Sequence, residues 1–342
     1  MKKLSTLLSI TTVLAMGATA AFAELPGDGK TVRYARNDSL GAQYIQDEIM
    51  MTLLRKLGYE IDLTTIGIAP FFQAASLGDI DITGDINVPQ RLPQYEKVSG
   101  TVALVGDGTI GNGGGINGYV IDKATADAHN IKDVGQLADP ELAKLFDSDG
   151  DGIANLINCD PGWSCGDVVD FQLEEYGLSD TVESVRAKYE PLLAEVFARH
   201  SQGESILYYT WSPSFVTEEL KPGEDVVWLP IPYGALPEGV TSESGHDVSG
   251  VVGCSLGQDP YKMATGSWNW KFAANRDFLE ENPAVATLAA TAQWPIAVWS
   301  SWEGQMREDN SDDAISQIAE NWIAENAGLV DEWLAAAKAS AE

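Results

Sequence analysis

Residues 146–166 read FDSDGDGIANLINCDPGWSCG, and no other window sets so many chemically capable groups so close together. Asp147, Asp149 and Asp151, followed by Gly152, match the first half of a calcium loop, with the Ile153 carbonyl and Asn155 at the next alternate positions. Asn158 stands where such a loop ends in an acidic residue, and the same residues also suit an Asx-rich turn linking helix to strand. In either case the segment would stiffen a loop, since no nucleophile or base neighbours it. Directly after Asn158, Cys159 and Cys165 enclose Asp-Pro-Gly-Trp-Ser. A bend of this kind can aim the backbone N–H groups of Ser164 and Cys165 at one spot, a nest for a carboxylate with Trp163 beside it. Taken alone, the loop equally suits a core tryptophan clipped by a structural disulfide.

A second cluster, Tyr208-Tyr209-Thr210-Trp211-Ser212-Pro213, puts aromatic residues at the end of a strand and directly before a turn. The chain carries 10 tryptophans. Indole faces are the best side-chain surfaces for a quaternary ammonium, at roughly 0.5–2 kcal/mol each. Many of these tryptophans would serve as plain core.

Composition narrows the partners. The formal net charge of the 342 residues is -30, a surface that repels phosphate backbones and anionic lipid, so neither nucleic acid nor a membrane surface is expected as a partner. Lys2 and Lys3, an apolar run over residues 4–20 and Ala21-Phe22-Ala23 read as a signal peptide cleaved after Ala23, which predicts an exported, periplasmic chain. Three cysteines in that setting suggest one disulfide, Cys159 with Cys165, and a leftover Cys254. The three histidines show no triad spacing, and the Cys/His count argues against structural zinc.

The elements that must position these groups follow from periodicity. Residues 31–34 predict a strand, and Ile45, Ile49, Leu53 and Leu57, stopped by Gly58, an amphipathic helix. Strands are expected over 60–64 and 79–83, with a helix over 69–77 between them, which makes an α/β lobe with a mostly parallel sheet. Ligands would sit in the loops after Tyr34 and Thr83. The run GDGTIGNGGGING lacks a following Gly-Lys-Ser/Thr and predicts a hairpin or hinge rather than a phosphate loop. Beyond it come a strand at 119–122, helices over 167–176 and 181–200, and strands at 206–211 and 225–229. From Trp268 the chain reads as a return to the first lobe, with a strand at 270–274 and helices opening near residues 282, 312 and 329. The expected division is a signal peptide at 1–23, lobe 1 at 24–118, lobe 2 at 119–263 and a return to lobe 1 at 264–342, with a hinge between the lobes.

At these residues the sequence resembles the glycine betaine/proline betaine-binding proteins of ABC importers, the ProX type. GYVIDK, QLADPELAKLFDSDGDG, CDPGWSCG, YYTWSP and ELKPGEDVVWLPIPYGALP carry the likeness, with weaker matches at RKLGYEID, SLGDIDIT and ENPAVATL. The resemblance implies an α/β, two-lobed periplasmic binding protein (type II-like) that closes around a zwitterion. It puts Trp163 and Trp211 on two cation-box tryptophans and the N–H groups of Ser164 and Cys165 on carboxylate donors. In ungapped alignment Asn87 stands where the family has a third box tryptophan, and Arg91 where it has a carboxylate-binding histidine. A guanidinium keeps that chemistry. Another aromatic could refill the box, the candidates being Trp268, Trp270, Trp294 and Trp299.

The function expected from all of this is a non-enzymatic, monomeric receptor that captures a betaine-type onium zwitterion and presents it to an ABC permease in the inner membrane. Choline, carnitine, dimethylsulfoniopropionate and trimethylamine oxide are alternative ligands. No cofactor is required, and calcium would be structural. The rivals are a calcium-dependent exported enzyme, supported by the acidic loop alone, and a purely structural exported protein.

Overall fold

The computed structural model describes residues 25–38, 40–111, 114–161, 163–238, 240, 245–257 and 259–342. The expected signal peptide lies outside the described residues. The chain opens as β1 (Thr31–Arg36), the helix Gln43–Lys56, β2 (Glu60–Thr65), the helix Ile68–Leu77 and β3 (Ile82–Val88). Ile45, Ile49, Leu53 and Leu57 are all fully buried, as their four-residue spacing requires of a helix lying on a sheet. Gly78 ends the second helix at φ 77°, the left-handed region that favours glycine.

β3 differs from its expected bounds, and the difference matters for the site. The strand does not stop before Gly84 but runs on to Val88, so Asn87 is a strand residue rather than a loop residue. Gly84 is a glycine of close approach, not of a turn. Its carbonyl accepts from Gln46 Nε2 at 3.0 Å, and a Cβ there would press on Gln46, Asp47 and Phe272.

The remaining strands are β4 (Val102–Val105), β5 (Gly115–Asp122), β6 (Ala154–Ile157), β7 (Val182–Val185), β8 (Leu207–Ser212), β9 (Val226–Leu229), β10 (Asp247–Val248), β11 (Tyr261–Lys262) and β12 (Ser267–Asn275). β10 and β11 form a separate ribbon, and the others one sheet in the order β2-β1-β3-β12-β5-β8-β6-β7, with β4 also on β12 and β9 on β5. The sheet is mixed, not mostly parallel. β1 runs parallel to β2 and β3, but the returning β12 inserts antiparallel beside β3 and β4. In the second half β5 is antiparallel to β8 and β9, and β6 is parallel to β7 and β8. The expected helix over 181–200 is really β7 followed by the helix Tyr189–Ser201. Val182 and Val185 are β-branched and belong to a strand pairing with β6, a tertiary preference that outweighs the local pattern.

The two half-sheets meet at a narrow seam. β12 pairs with β5 through Ser267↔Ile116 and Trp268↔Gly115, while the rest of β12 pairs with β3 and β4. Each half-sheet carries a buried apolar cluster on each face. The largest lies between the first half-sheet, the helix Gln43–Lys56 and the C-terminal helices Pro283–Thr291, Ile296–Glu308, Asp312–Glu325 and Ala327–Ala339. Trp294 is its centre, with its ring centroid 5.5–6.2 Å from those of Trp299, Trp302, Trp322 and Trp333. No helix among the described residues is long and apolar enough to cross a membrane.

At the seam the Trp268 indole occupies the place where a Cβ on Gly115 would stand. Gly115→Val should therefore destabilise the fold by about 1–3 kcal/mol through overpacking, read as a lower urea midpoint at unchanged slope. A wild-type midpoint would show that Trp268 does not need the gap.

Candidate functional site

The second half-sheet supplies one wall. β6 ends at Ile157, and five residues after Cys159 the chain enters the helix Ser164–Glu175, with Cys159 bonded to Cys165 at a Cα–Cα distance of 6.1 Å. The bond ties the helix start to the carboxyl end of β6. The expected nest takes the form of a helix N-terminus: Trp163 is the N-cap residue, in extended conformation (φ -83°, ψ 138°), and no side chain caps the helix. The N–H groups of Ser164 and Cys165 thus belong to the first turn, where no intrahelical acceptor exists and the helix dipole favours an anion.

Trp163 is 43% exposed beside that helix end. Its ring centroid stands 5.8 Å from that of Trp211, at 67° between planes, and 5.8 Å from Tyr189. Tyr189 and Trp211 stack at 5.3 Å and 24°. Tyr189 is fixed by its hydroxyl, which donates to the Tyr209 carbonyl at 2.9 Å. The sequence pattern hid this third ring because residues 181–200 read as one continuous helix; the Tyr-Glu-Pro helix start was the available signal.

The first half-sheet continues the row across the seam. Register puts Trp268 opposite Gly115 on β5, and Trp211 opposite Asn117 two residues along the same strand. Directly paired residues share a face, as do residues two apart, so Trp268, Gly115, Asn117 and Trp211 line one surface. Trp270 extends that row along β12, edge-on to Trp268 at 5.7 Å and 88°, and pairs in turn with Asn87 on β3. Trp268 is 8% exposed, yet its Nε1–H has no acceptor, and the Asn87 Oδ1 is buried with no donor. Arg91 follows one turn later, its N–H donating to the Asn87 carbonyl at 2.9 Å, and its exposed guanidinium has no hydrogen bond or ion pair among the described residues. Trp299 lies elsewhere. It is 1% exposed, packed edge-on against Trp294 and Trp302, and donates its indole N–H to the Thr109 carbonyl at 3.4 Å, which is a core position.

In the acidic turn, ligand oxygens of Asp147, Asp149 and Asp151 come within 4.8 Å of one another. Backbone groups already use several of them: Asp147 accepts from the Gly150 and Gly152 N–H groups, which hold its carboxyl below the usual range, and Asp151 accepts from Ile153 N–H. Asn155 Oδ1 is taken by Ser148 N and Oγ at 2.7 and 2.8 Å. Three carboxylates suit a calcium ion, whereas the Asn155 side chain is committed to the loop itself. Cys254 is half-buried, and burial pushes its thiol up to about 12, so it is no nucleophile at neutral pH.

Residues 30–325 match the family model described as the substrate binding domain of the ABC-type glycine betaine transport system. The chain belongs to this family. It is 35% identical over 337 residues, 98% of both chains, to the glycine betaine-binding periplasmic protein OusX of Dickeya dadantii, and 33% identical to the glycine betaine/proline betaine-binding periplasmic protein of Escherichia coli, over 91% of both. Among solved structures, the glycine betaine, L-proline-binding protein (ProX) of Borrelia burgdorferi aligns with a TM-score of 0.56 at 16% identity, covering 89% of this chain and 96% of that one. A choline-binding protein in complex with choline aligns at 0.55 and 17%, covering 91% and 98%. These structures share the two-lobed α/β fold. The family is one of transport receptors rather than enzymes, which removes the exported-enzyme alternative.

Behind the receptor's first wall lies a buried charged network that periodicity could not show. Asp85, two residues before Asn87 on the same strand face, accepts from Asn37 N–H at 2.7 Å and so ties the loop after β1 to β3. Asp47, from the helix Gln43–Lys56, accepts from the Tyr34 hydroxyl at 2.7 Å and lies 3.9 Å from Arg36 Nε. Arg36 also pairs with Glu48 at 3.4 Å and sits 4.5 Å above the Tyr44 ring. Both aspartates are fully buried, and each keeps one oxygen without a donor. Burial raises Asp85 to about 6, and burial, then the Asp85 charge, raise Asp47 as well.

A carboxyl with a higher pKa folded than unfolded takes up its proton first in the folded state. This contribution to stability therefore grows as pH falls from 7 through 6 and is withdrawn as pH rises. Asp85→Asn keeps the acceptor for Asn37 N–H but removes the titration. Melting temperature should rise more between pH 7.5 and 5 in the native protein than in Asp85→Asn, and parallel pH profiles would show that Asp85 takes up no proton in that range.

Proposed function

We propose that this protein is the periplasmic receptor of an ABC importer for a betaine-type quaternary ammonium zwitterion, glycine betaine or proline betaine-like. The observation that carries this is the Trp163, Tyr189 and Trp211 cluster beside the uncapped helix start at Ser164 and Cys165, a cation surface next to an anion site on one rigid, disulfide-tied corner. Indole faces attract the methylated cation by its charge without a carboxylate that its methyl groups would keep at a distance. The first-turn N–H groups and the Arg91 guanidinium take the carboxylate, Arg91 as a two-pronged donor. Trp268 and Asn87 lie further along the same row, in the first half-sheet, and would meet the ligand from there.

Residues 24–118 with 264–342, and 119–263, act as two lobes closing about the β12–β5 seam, although the boundary at 118 falls inside β5. Closure takes its energy from ligand contacts made only in the closed form. The closed monomer then docks on an inner-membrane permease; the relatives' periplasmic setting and the importer family support this. Capture needs no cofactor. A calcium ion at Asp147, Asp149 and Asp151 would stiffen the entry into β6 without touching ligand.

Calorimetry with glycine betaine, proline betaine, choline, carnitine, dimethylsulfoniopropionate and trimethylamine oxide tests this, with and without calcium. Saturable binding is expected to be strongest for a betaine, and chelation should lower the melting temperature while leaving affinity within about twofold. Absence of binding by every methylated compound would end the proposal. Arg91→Ala should weaken carboxylate-bearing ligands about tenfold or more, the order expected for a charge-assisted pair of 1.5–3 kcal/mol, and leave choline nearly unchanged. Equal losses would take Arg91 out of the anion site.

A further inference from the structure

Resting on the receptor role just proposed, we infer that Trp270 supplies the aromatic wall from the first half-sheet, and that it does so jointly with the Asn87 carboxamide paired across from it. A methylated cation held only by Trp163, Tyr189 and Trp211 would be covered on one side. The covering surface must come from the half-sheet beyond the seam, and the register fixes which residues reach it.

β12 is the strand that crosses from one half-sheet to the other, so its residues just past the seam are carried along the row that begins at Trp211. Trp268 is the first of them. Its ring lies over Gly115 and is packed into the large core cluster, which leaves little of its face open. Trp270 is the next on the same face. It packs only partly against that cluster and stays half-buried, with its ring held edge-on against Trp268, so that one indole braces the other. Its backbone is also fixed, the carbonyl accepting from Thr109 N–H at 2.8 Å. A rigid, half-exposed indole on a central strand costs little ordering entropy when it takes up a ligand.

Asn87 is the directly paired partner of Trp270 on β3, and its Oδ1 is buried without a donor. An amide oxygen in that condition is costly unless something answers it. The methyl groups of an onium head carry partial positive charge and offer C–H donors, so the same head that faces the indole also satisfies the oxygen. This pairing selects for a compact, methylated cation, and each N-methyl lost removes both a cation–π contact and a C–H donor.

The test measures glycine betaine and N,N-dimethylglycine by calorimetry on native protein and on Trp270→Ala, Trp270→Phe, Trp211→Ala and the double variant Asn87→Trp with Trp270→Ala. Trp270→Ala should weaken glycine betaine about 5- to 30-fold, the range expected for loss of one desolvated cation–π face, and should narrow the preference for glycine betaine over dimethylglycine. Trp270→Phe should stay within about threefold of native. In the double variant, an indole restored on the paired position should recover part of the loss, the carboxamide contact being gone. Equal weakening of both ligands by Trp270→Ala, with no recovery in the double variant and with Trp270→Phe equally impaired, would mark Trp270 as packing alone and overturn the inference. So would Trp270→Ala binding within twofold of native while Trp211→Ala loses tenfold, in which case the receptor role stands without it. Failure of native protein to bind either compound, with Trp211→Ala indistinguishable from it, would instead sink the receptor role and this inference together.

Discussion

Two residue pairs, Ser267 with Ile116 and Trp268 with Gly115, join the ladders of the two half-sheets, and most of what the molecule can do depends on that seam. A short antiparallel contact transmits register without imposing the stiffness of a long one. Because side chains alternate across a strand, it also decides which tryptophans share a surface. A one-residue slip at Trp268 would send Trp268 and Trp270 to the opposite face. Gly115 is what permits the register, since any larger residue would stand where the Trp268 ring lies.

The ten tryptophans divide along that line. Trp294, Trp299, Trp302, Trp322 and Trp333 interlock between C-terminal helices, and Trp228 is buried in the second half, so these six serve packing. Trp163, Trp211, Trp268 and Trp270 lie along the row that spans the seam. Perpendicular contacts recur in both groups, as the ring quadrupoles favour. Openness separates them: Trp163 is 43% exposed and Trp270 half-buried, whereas Trp294 and Trp299 are sealed.

A second constraint is electrostatic. Asp47 and Asp85 are fully buried, and the nearby Arg36 guanidinium is divided between Asp47 and the part-exposed Glu48, so ionising both aspartates would be costly. The raised pKa of each aspartate, which favours its neutral form, lowers that cost. What the network secures is position, because Asp85 holds the loop after β1 to the strand that bears Asn87. Such a polar cluster behind a binding wall stiffens it in a way that apolar packing, which is not directional, would not.

Local chemistry was legible in the residues themselves. The helix marked by Ile45, Ile49, Leu53 and Leu57, the Cys159–Cys165 clip, and Trp163 and Trp211 as ring-bearing residues at loop starts all depend on near neighbours in the chain, where spacing carries the information. The motifs from Gly118 onward were enough to name the family. Strand ends and pairings were not legible, because they are settled by residues far away in sequence. β3 passes Gly84 since Gln46 and Phe272 crowd it, and residues 182–185 form a strand because β6 lies beside them. Trp299 and Trp270 are both tryptophans in Trp-rich runs, and composition cannot tell them apart. The sequence by itself determined which groups were available and what ligand chemistry they suit. Only the tertiary structure decided which of them face one another, because facing is a property of strand register across the sheet, and the pair that sets it is separated by more than a hundred residues of chain.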